Sequence, residues 1–566
     1  MTGFYANLKL NDMNLKANAR KLLGGVAALA FGAAFAVAPA GADGTTKISK
    51  ASPFANCTAD NAAGQPGTNY PDSEIEPQLA VNPAFTPNMV AGWQQDRWSN
   101  GGSRGLVAGV SVDDGATWRT TVPPKVTLCS GGSYERASDP WVSIGPTGRV
   151  FFMSLAFMND RPDGGLGKNA MLVSRSLNGG FSWSNPIPLL VDTDGQIFND
   201  KNSVTADPLD SRYVYAAWDR LQDFTLPSGD VSGAPAAKVA AKANGAADGV
   251  ANARLRFKQL KASAASRQAL AAPAAPITFK GPAYFVRSTN GGNSWEPAKE
   301  IYDPGGDAQT INNIVEVLRD GTVADFFTNI ASSGDTSIGI IKSANKGRTF
   351  KRAKLPVPTV VTLTGTQTPD SMEAVRDANI LFDVAVDRQN GNQYLVWQDG
   401  RFAGIDQVAF SMSADDGDTW SAPVKINMTP DSVNPLRNQA FIPSVEVGAN
   451  HEIVVTYYDF RFDTDNGKEL TDYFAVFCTP NRAANCALRE NWGDGIAKRR
   501  DIRITDRSFD MLDAPLAGGH FMGDYMGIAR KGQVVMPAFG IADSLNHTSI
   551  NTKPIRSKTF VISGQN

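Results

Sequence analysis

The sequence predicts an all-β fold built from repeated units. One eight-residue turn pattern, Ser-x-(Asp/Asn)-x-Gly-x-(Thr/Ser)-(Trp/Phe), occurs five times, and short apolar segments surround each copy. The composition agrees, because the 566 residues include 53 Gly and 33 Pro while only 19% are charged. Many turns between short strands are typical of all-β proteins. The copies are Ser111–Trp118, Ser176–Trp183, Ser288–Trp295, Ser343–Phe350 and Ser413–Trp420.

Each residue of the pattern has a physical role in a tight turn. In the first copy, the Asp113 side chain can accept hydrogen bonds from backbone N–H groups of its own loop. Gly115 supplies a positive φ, and Trp118 attaches the turn to a neighbouring strand. Five copies of so long a pattern indicate a repeat architecture.

The pattern resembles the Asp-box, or BNR repeat, of the sialidase (neuraminidase) superfamily. The resemblance covers the chain from about Glu74 to Ile562. It implies a β-propeller in which each box joins the third and fourth strands of a blade. It also implies a secreted glycoside hydrolase that acts, like an exo-α-sialidase, on acidic or exposed terminal sugars of a glycan. The alternative is a non-catalytic Asp-box propeller that binds glycan or protein, because Asp-boxes are structural turns in enzymes and non-enzymes alike.

Seven repeat units can be traced, five with a box and two without. Strands of this length, separated by turn residues, indicate radial blades rather than βαβ units. Sialidases have six blades; we favour seven here, and two units sharing one blade is the alternative. The first strands of the units are predicted at Glu76–Val81, Asp139–Ile144, from Asn199 onward, Ile311–Val317, Ile380–Val386, Phe441–Val447 and Gly523–Ala529.

The first 42 residues are predicted to be an export signal. Arg20 and Lys21 precede the apolar run 22–37, and Ala40-Gly41-Ala42 offers a small-residue cleavage site. The run is too short and too rich in Ala and Gly for a membrane span. We therefore expect a secreted or periplasmic protein without membrane contact once the signal is removed.

The remaining chain divides into an N-terminal segment, residues 43–73, and the propeller, residues 74–566. The last unit ends at the predicted strand Thr559–Ile562, one strand short of a blade. The segment around Thr45–Ser49 is the candidate for the missing strand, because closing the ring would remove an exposed edge. An Ala-rich insertion at about residues 224–276 interrupts the third unit and is predicted to be a surface loop with a helix-favouring stretch.

Cysteine count and net charge restrict the remaining possibilities. Four cysteines in an exported chain fit two disulfides. Three pairings are open; the simplest joins Cys478 to Cys486 across a short loop and leaves Cys57 for Cys129. A net charge of −2 gives no reason to expect nucleic acid or an anionic membrane as partner. We expect a monomer.

Strand parity predicts where a site lies. Because the chain reverses at every strand, the boxes share one face of the ring, and the ends of second strands lie on the opposite face. Those ends carry repeated aromatic–Asp–Arg clusters, at Trp93–Trp98, Trp218–Arg220, Trp397–Arg401 and Tyr457–Arg461. The starts of first strands add charged residues, at Glu76, Arg136, Asp139, Asp200, Lys201, Asp383 and Asp524.

Such a rim suits an acidic or polyhydroxylated glycan. Arginine recognises carboxylates through two parallel hydrogen bonds, and paired carboxyl groups can protonate a leaving oxygen and activate water. The alternative is that the repeated Asp–Arg pairs are structural salt bridges between blades, since catalytic residues normally differ from blade to blade.

The resemblance to sialidases implies three arginines that hold a substrate carboxylate, an Asp acid/base and a Tyr nucleophile activated by a Glu. The substrate-binding candidates are Arg97, Arg136, Arg220, Arg401 and Arg461. The catalytic candidates are Asp139 or Asp200 as the acid, Tyr458 or Tyr525 as the nucleophile, and Asp524 beside Tyr525. The Arg-Ile-Pro motif of sialidases is absent, and Ser73-Glu-Ile-Glu-Pro77 stands in its place.

No cofactor is predicted. The three histidines, His451, His520 and His547, lack the spacing of zinc ligands. Asp463-Thr-Asp465-Asn-Gly467-Lys-Glu469 has some features of a calcium loop, but its spacing differs from that of an EF-hand. Calcium at this loop is the alternative.

Overall fold

The computed structural model describes residues 44–229, 277–479, 485–493 and 501–556. The predicted export signal, most of the Ala-rich insertion and the predicted strand Thr559–Ile562 lie outside these ranges. Within them the fold is all-β, with 3-10 turns as the only helices. No helix in the described ranges has the length and hydropathy needed to cross a bilayer.

Thirty strands make up the described chain. In order they are β1 (Thr46–Lys47), β2 (Glu74–Val81), β3 (Met89–Arg97), β4 (Ser103–Ser111), β5 (Arg119–Thr121), β6 (Arg136–Ile144), β7 (Val150–Phe157), β8 (Asn169–Ser176), β9 (Ile187–Asp192), β10 (Ile197–Ala206), β11 (Val214–Asp223), β12 (Phe279–Lys280), β13 (Ala283–Ser288), β14 (Lys299–Tyr302), β15 (Gln309–Val317), β16 (Val323–Ile330), β17 (Thr336–Ser343), β18 (Phe382–Val386), β19 (Gln393–Asp399), β20 (Gln407–Ser413), β21 (Val424–Lys425), β22 (Ala440–Val447), β23 (Ile453–Asp459), β24 (Leu470–Cys478), β25 (Ile502–Arg503), β26 (Phe509–Asp510), β27 (Gly527–Lys531), β28 (Val534–Ser544), β29 (His547–Thr552) and β30 (Ile555–Arg556). The 3-10 helices are Ala62–Gly64, Leu128–Ser130, Gly400–Phe402, Pro435–Asn438, Ala449–His451, Arg489–Asn491 and Met511–Asp513.

The strands pair in antiparallel sheets of consecutive strands. One sheet of eight strands divides at the single pairing of Ser103 with Ala137. This division gives seven groups in chain order: β2–β5, β6–β9, β10–β14, β15–β17, β18–β21, β22–β26, and β27–β30 together with β1. We refer to them as groups 1 to 7.

Successive groups pack against one another through their first strands. Each first strand contacts the first strand of the next group, in the order β2, β6, β10, β15, β18, β22 and β27, and β27 contacts β2. Seven apolar clusters fill the spaces between successive groups, including the space between groups 7 and 1. Both faces of most sheets are therefore covered by a neighbouring group.

The five boxes have the same hydrogen-bonded structure. In the first, Ser111 Oγ accepts from Gly115 N at 2.9 Å, and Asp113 Oδ1 accepts from Thr117 N at 2.9 Å. Trp118 Nε1 closes the turn on the Gly115 carbonyl at 3.0 Å. The other four copies repeat the Ser and Asp/Asn bonds. Each follows the third strand in the sheet order of its group, which in group 3 is β13 because β12 lies off the main path.

The N-terminal segment joins the last group to the first. Strand β1 pairs with β29, Thr46 opposite Thr552, in a sheet of order β1-β29-β28-β27. The segment is then fastened to group 1, because Arg104 Nε lies 2.7 Å from Asp60 Oδ2 and Cys57 forms a disulfide with Cys129. The second disulfide joins Cys478 to Cys486, so the simplest predicted pairing is confirmed.

Candidate axial site

Five of the seven first strands carry a β-bulge near their start, and each bulge turns a side chain away from the regular alternation. The register shifts lie between Ile75 and Gln78, Ser138 and Trp141, Asp200 and Ser203, Ile311 and Ile314, and Phe441 and Ser444. Within each bulge one residue has a positive φ: Glu76 (52°), Asp139 (51°), Lys201 (43°), Asn312 (64°) and Ile442 (49°). Bulges re-aim side chains, and strained non-glycine backbone is concentrated at functional sites.

Lys201 lies at the centre of a buried charged cluster. Its Nζ is 2.8 Å from Asp524 Oδ2, 3.3 Å from Asp139 Oδ1 and 3.4 Å from Glu76 Oε1. Arg376 adds a second cation, with Nε 3.0 Å and Nη2 2.8 Å from the two Asp524 oxygens. Glu76, Asp139, Lys201 and Asp524 come from groups 1, 2, 3 and 7, respectively. With Arg376 they make five side chains, none of which is more than 5% exposed. We call these five residues the axial cluster.

The surroundings of the cluster shift the pKa values of its carboxyl groups in different directions. Burial raises the pKa of Glu76 to about 8, although Lys201 opposes the shift. Burial alone would also raise the pKa of Asp139, but the Lys201 ammonium and hydrogen bonds from Asp200 and Glu76 hold it below its usual range. Burial is likewise outweighed at Asp524, whose pKa Arg376 and Lys201 hold well below the ordinary value.

A row of buried acids continues from the cluster towards group 4. Burial and the nearby Asp139 carboxylate raise the pKa of Asp200 well above its usual value. Burial also raises the pKa values of Asp219 and Asp325 well above normal. One carboxyl oxygen of each of these three residues is buried without a hydrogen-bond partner. Burial thus favours the neutral form of these three acids, beside Asp139, whose pKa is lowered.

A small cavity lies beside the cluster. Residues of six groups line it, among them Gln78, Trp141, Asn312, Asp377, Ser444 and Tyr525. The space open to the centres of water-sized molecules is about 20 Å³, enough for one or two waters. A sugar ring therefore does not fit without movement of the surrounding side chains or loops.

Four of the predicted catalytic residues meet here and one does not. Asp139, Asp200 and Asp524 belong to the cluster or its row of acids, and Tyr525 lies beside Lys201, with Nζ 5.5 Å from its ring centre. Tyr525 Oη donates to the Pro140 carbonyl at 3.2 Å, and burial raises its pKa well above normal. Tyr458 instead lies in the apolar cluster between groups 6 and 7, and its hydroxyl donates to the Gly540 carbonyl at 2.8 Å. Its placement argues against a nucleophilic role.

The predicted substrate-binding arginines do not line the cavity, and three of them form ion pairs with aspartates. Arg220 Nη2 lies 2.5 Å from Asp192, which joins groups 3 and 2. Within their own groups, Arg401 lies 2.7 Å from Asp399, and Arg461 lies 2.5 Å from Asp459 and 2.6 Å from Asp501. These contacts favour the structural alternative for all three.

The other two arginines bind backbone and amide oxygens. Arg136 donates to the carbonyls of Gly101 and Pro66 at 2.8 and 2.7 Å, and its guanidinium stacks on Trp98. Arg97 donates to Gln94 Oε1 at 3.0 Å, and Gln94 in turn donates to Glu76. Arg97 is thus linked to the axial cluster through one glutamine.

The cation that the sequence did not predict is Arg376. It comes from the irregular segment between β17 and β18, where no repeat pattern marks it. Its chain neighbour Asp377 accepts hydrogen bonds from Thr366 N and Gln398 Nε2 at 2.7 and 3.0 Å, which fixes the segment against group 5. A lone arginine in such a segment carries no sequence signal of its position.

An arginine from outside the candidate calcium loop, Arg437, pairs with carboxylates at this position. Oxygens of Asp370, Asp463 and Glu469 lie within 4.8 Å of one another. Arg437 lies between two of them, with Nε 2.8 Å from Asp463 and Nη2 2.7 Å from Asp370. The guanidinium therefore supplies the positive charge that a calcium ion would supply, and Asp465 is exposed outside this cluster.

Comparisons with known proteins give remote similarities. No family model matches the chain, and no curated protein sequence matches it. Among solved structures, the chain is similar to the Hadza microbial sialidase Hz136, with 13% identity, 85% of this chain and 75% of that chain covered, and a TM-score of 0.40. It is similar to a leech intramolecular trans-sialidase, with 10% identity, 91% and 98% covered, and a TM-score of 0.40.

A third similar structure is the α-L-arabinofuranosidase Arb93A from Fusarium graminearum, with 10% identity, 87% of this chain and 96% of that chain covered, and a TM-score of 0.37. At these identities and TM-scores, neither a family nor an activity transfers from those proteins to this chain.

Proposed function

We propose that the chain is an exported, closed Asp-box β-propeller of seven blades that hydrolyses a glycosidic bond at its axial site. The seven groups are its blades, and β1 completes the last one. The ring of contacts between first strands, from β2 through β27 and back to β2, supports closure. The two disulfides suit an oxidising compartment outside the cytoplasm.

One observation supports the proposed reaction: the carboxyl groups of Glu76, Asp139 and Asp524 meet around Lys201, and their surroundings raise the pKa of the first and lower those of the other two. Glycoside hydrolysis needs one carboxyl group that donates a proton and one carboxylate that activates water or stabilises positive charge. Paired carboxyl groups whose surroundings move their pKa values apart are suited to these two roles. Glu76 or Asp200 is the proposed proton donor, and Asp139 is the proposed carboxylate.

The cations of the cluster position these groups. Lys201 and Arg376 keep Asp139 and Asp524 ionised and fix their orientation through the contacts described above. Tyr525 has a raised pKa, and its hydroxyl donates a hydrogen bond to the Pro140 carbonyl. We therefore assign it the role of a hydrogen-bond donor rather than a nucleophile. Because Arg220, Arg401 and Arg461 are paired with aspartates, we propose a terminal sugar other than sialic acid as substrate.

The second candidate is a non-catalytic propeller that binds glycan. The observation that favours it is that Lys201 and Arg376 already occupy the carboxylates of the cluster, within a cavity that admits only water. In that case the cluster is structural and the ligand binds at the rim.

A panel of fluorogenic glycosides and polysaccharides, assayed from pH 4 to 9, tests the proposal. We expect turnover of at least one substrate. Asp139→Asn is expected to reduce kcat by about 10²–10⁴-fold, the usual contribution of a positioned acid or base. The partly exposed Asp210, which pairs with Arg212 far from the cluster in sequence, gives the control variant Asp210→Asn. Absence of turnover, with glycan binding that Asp139→Asn leaves intact, would support the binding protein instead.

A further inference from the structure

A glycine-containing loop packs against Arg376 of the axial cluster. Residues 515–521, which we call the plug loop, close on themselves, with Phe521 N donating to the Pro515 carbonyl at 3.0 Å. Leu516 is 50% exposed while Phe521 is fully buried, so the loop has an outer and an inner side. Gly518 and Gly519 have φ values of 81° and 138°, a conformation that a residue with Cβ adopts only under strain.

Phe521 occupies a position between two guanidinium groups. Its ring centre lies 4.1 Å from Arg376 Cζ and 5.0 Å from Arg97 Cζ. Arg376 also binds Asp524, and Arg97 reaches Glu76 through Gln94. The phenyl ring of Phe521 therefore covers two guanidinium groups, that of Arg376 in the axial cluster and that of Arg97 beside it.

The plug loop is attached to the rest of the fold mainly by polar contacts, among them hydrogen bonds from Tyr70 Oη to the Leu516 carbonyl and from Arg376 Nη1 to the Ala517 carbonyl, both at 3.2 Å. His520 N donates to the Ala374 carbonyl at 2.9 Å, and Arg376 N donates to the His520 carbonyl at 3.0 Å. His520 Nε2 also lies 2.9 Å from Glu373 Oε2. The apolar cluster beneath the loop contains only Ile75, Ala517 and Phe521. Segments with so few buried apolar contacts open at a lower free energy than the core.

We propose that Phe521 is a removable plug: the plug loop opens while the sheets stay folded, and this opening gives access to the axial cluster. The loop lies on the face of the ring where first strands begin, opposite the boxes. The purpose of the opening rests on the proposed function, because a substrate must reach Glu76 and Asp139. The motion itself requires no catalysis and can be measured without a substrate.

A single engineered thiol measures the opening. All four cysteines are in disulfides, so Ile75→Cys would place the only free thiol under Phe521. We expect a thiol reagent to label it faster than the protein unfolds, at a rate that does not change with urea below the unfolding transition. Ala517→Cys, on the inner side of the loop, is the second reporter if Ile75→Cys lowers the Tm strongly.

Two glycines of the loop provide a matched pair of variants. A Cβ at Gly519 would lie 2.7 Å from the Ala374 carbonyl oxygen and from Arg376 N, so Gly519→Ala pushes the loop off its attachment. A Cβ at Gly518 would meet only Arg376 Cδ, at 3.9 Å. Both alanine variants carry the strain of a positive φ, but only Gly519→Ala adds a clash with backbone atoms. Local backbone strain is worth about tenfold or more in an opening equilibrium. We therefore expect Gly519→Ala to accelerate labelling by about tenfold more than Gly518→Ala does.

Two results would overturn the plug. One is labelling that follows global unfolding, with the same urea dependence, in every variant. The other is an equal effect of the two glycine substitutions. Rapid labelling without turnover of any glycoside would leave the plug intact and would count only against the proposed hydrolase.

Discussion

Lys201 Nζ lies 2.8 Å from Asp524 Oδ2, and this pair joins a bulge in group 3 to the segment that precedes the first strand of group 7. Groups 3 and 7 are not neighbours in the ring of sheet contacts, so the ion pair acts across its middle. The charge of one ammonium is shared among three carboxyl groups, Glu76, Asp139 and Asp524.

Removal of the Lys201 charge is expected to destabilise the fold strongly. Lys201→Met leaves buried carboxylates without their cation, which costs about 3–5 kcal/mol in comparable buried pairs. Urea unfolding at pH 7 measures the loss. Lys47→Met is the control, because Lys47 forms an exposed pair with Asp543 that is worth about 0–1 kcal/mol. Equal losses in the two variants would contradict an electrostatic role for the axial cluster.

Glu74 is expected to make the protein less stable as the pH rises. Burial raises its pKa to about 8, so the unfolded chain loses this proton between about pH 4.5 and 8 while the folded chain keeps it. Glu74→Gln should therefore raise the urea midpoint at pH 8 and change it little at pH 5. Glu296→Gln should show the opposite sign, because a hydrogen bond from Arg287 lowers the pKa of Glu296. An unchanged midpoint for Glu74→Gln at pH 8 would refute the shift.

The disulfide that fastens the N-terminal segment is expected to stabilise more than the second one. Cys57–Cys129 closes a separation of 72 residues and Cys478–Cys486 one of 8. Loop-closure entropy predicts losses of about 4 and 2.5 kcal/mol for the respective double Cys→Ser variants. Guanidinium unfolding of both variants gives the comparison. A larger loss for the short loop would show that chain entropy is not the main contribution.

Within a box, the aspartate that organises the turn is expected to matter more than its exposed neighbour. Asp113→Ala removes acceptors for Thr117 N and for the Ser111 and Thr117 hydroxyls, a loss of about 1–2 kcal/mol. Asp114→Asn removes the ion pair with Lys531, whose Nζ lies 2.7 Å away, keeps a residue type that tolerates the φ of 65° at this position, and should cost about 0–1 kcal/mol. Thermal unfolding of the two variants measures the losses. A larger loss for the Asp114 variant than for Asp113→Ala would contradict the role of Asp113 in the turn.

The boxes and strand starts could be predicted from sequence because both depend on local chemistry. The turn pattern fixes its own hydrogen bonds, so five copies identified five groups. Strand parity then predicts that Asp139, Asp200 and Asp524 lie at first-strand starts on one face. The bulges escaped prediction, because an extra residue in a strand becomes visible only when its partner strand is in register.

The sequence around the arginines carries a local signal for the structural alternative. Asp399 and Arg401, like Asp459 and Arg461, are two positions apart. In each pair the aspartate accepts a hydrogen bond from the backbone N–H of the arginine, so the turn itself brings the guanidinium next to the carboxylate. Tyr458 is the penultimate residue of β23, as expected for a strand end, but its side chain packs in the apolar cluster between groups 6 and 7 and not at the cavity.

Pairing of β1 with β29 also has a consequence for how the chain acquires its structure. Ile550 N donates to Ser49 Oγ, across 501 positions of sequence. Contacts of such high order form slowly and late. A growing polypeptide can assemble its early sheets one by one, but the seam between first and last remains open until nearly all of it has been synthesised. Resistance to proteases should therefore appear abruptly at the end of synthesis rather than increase with each sheet.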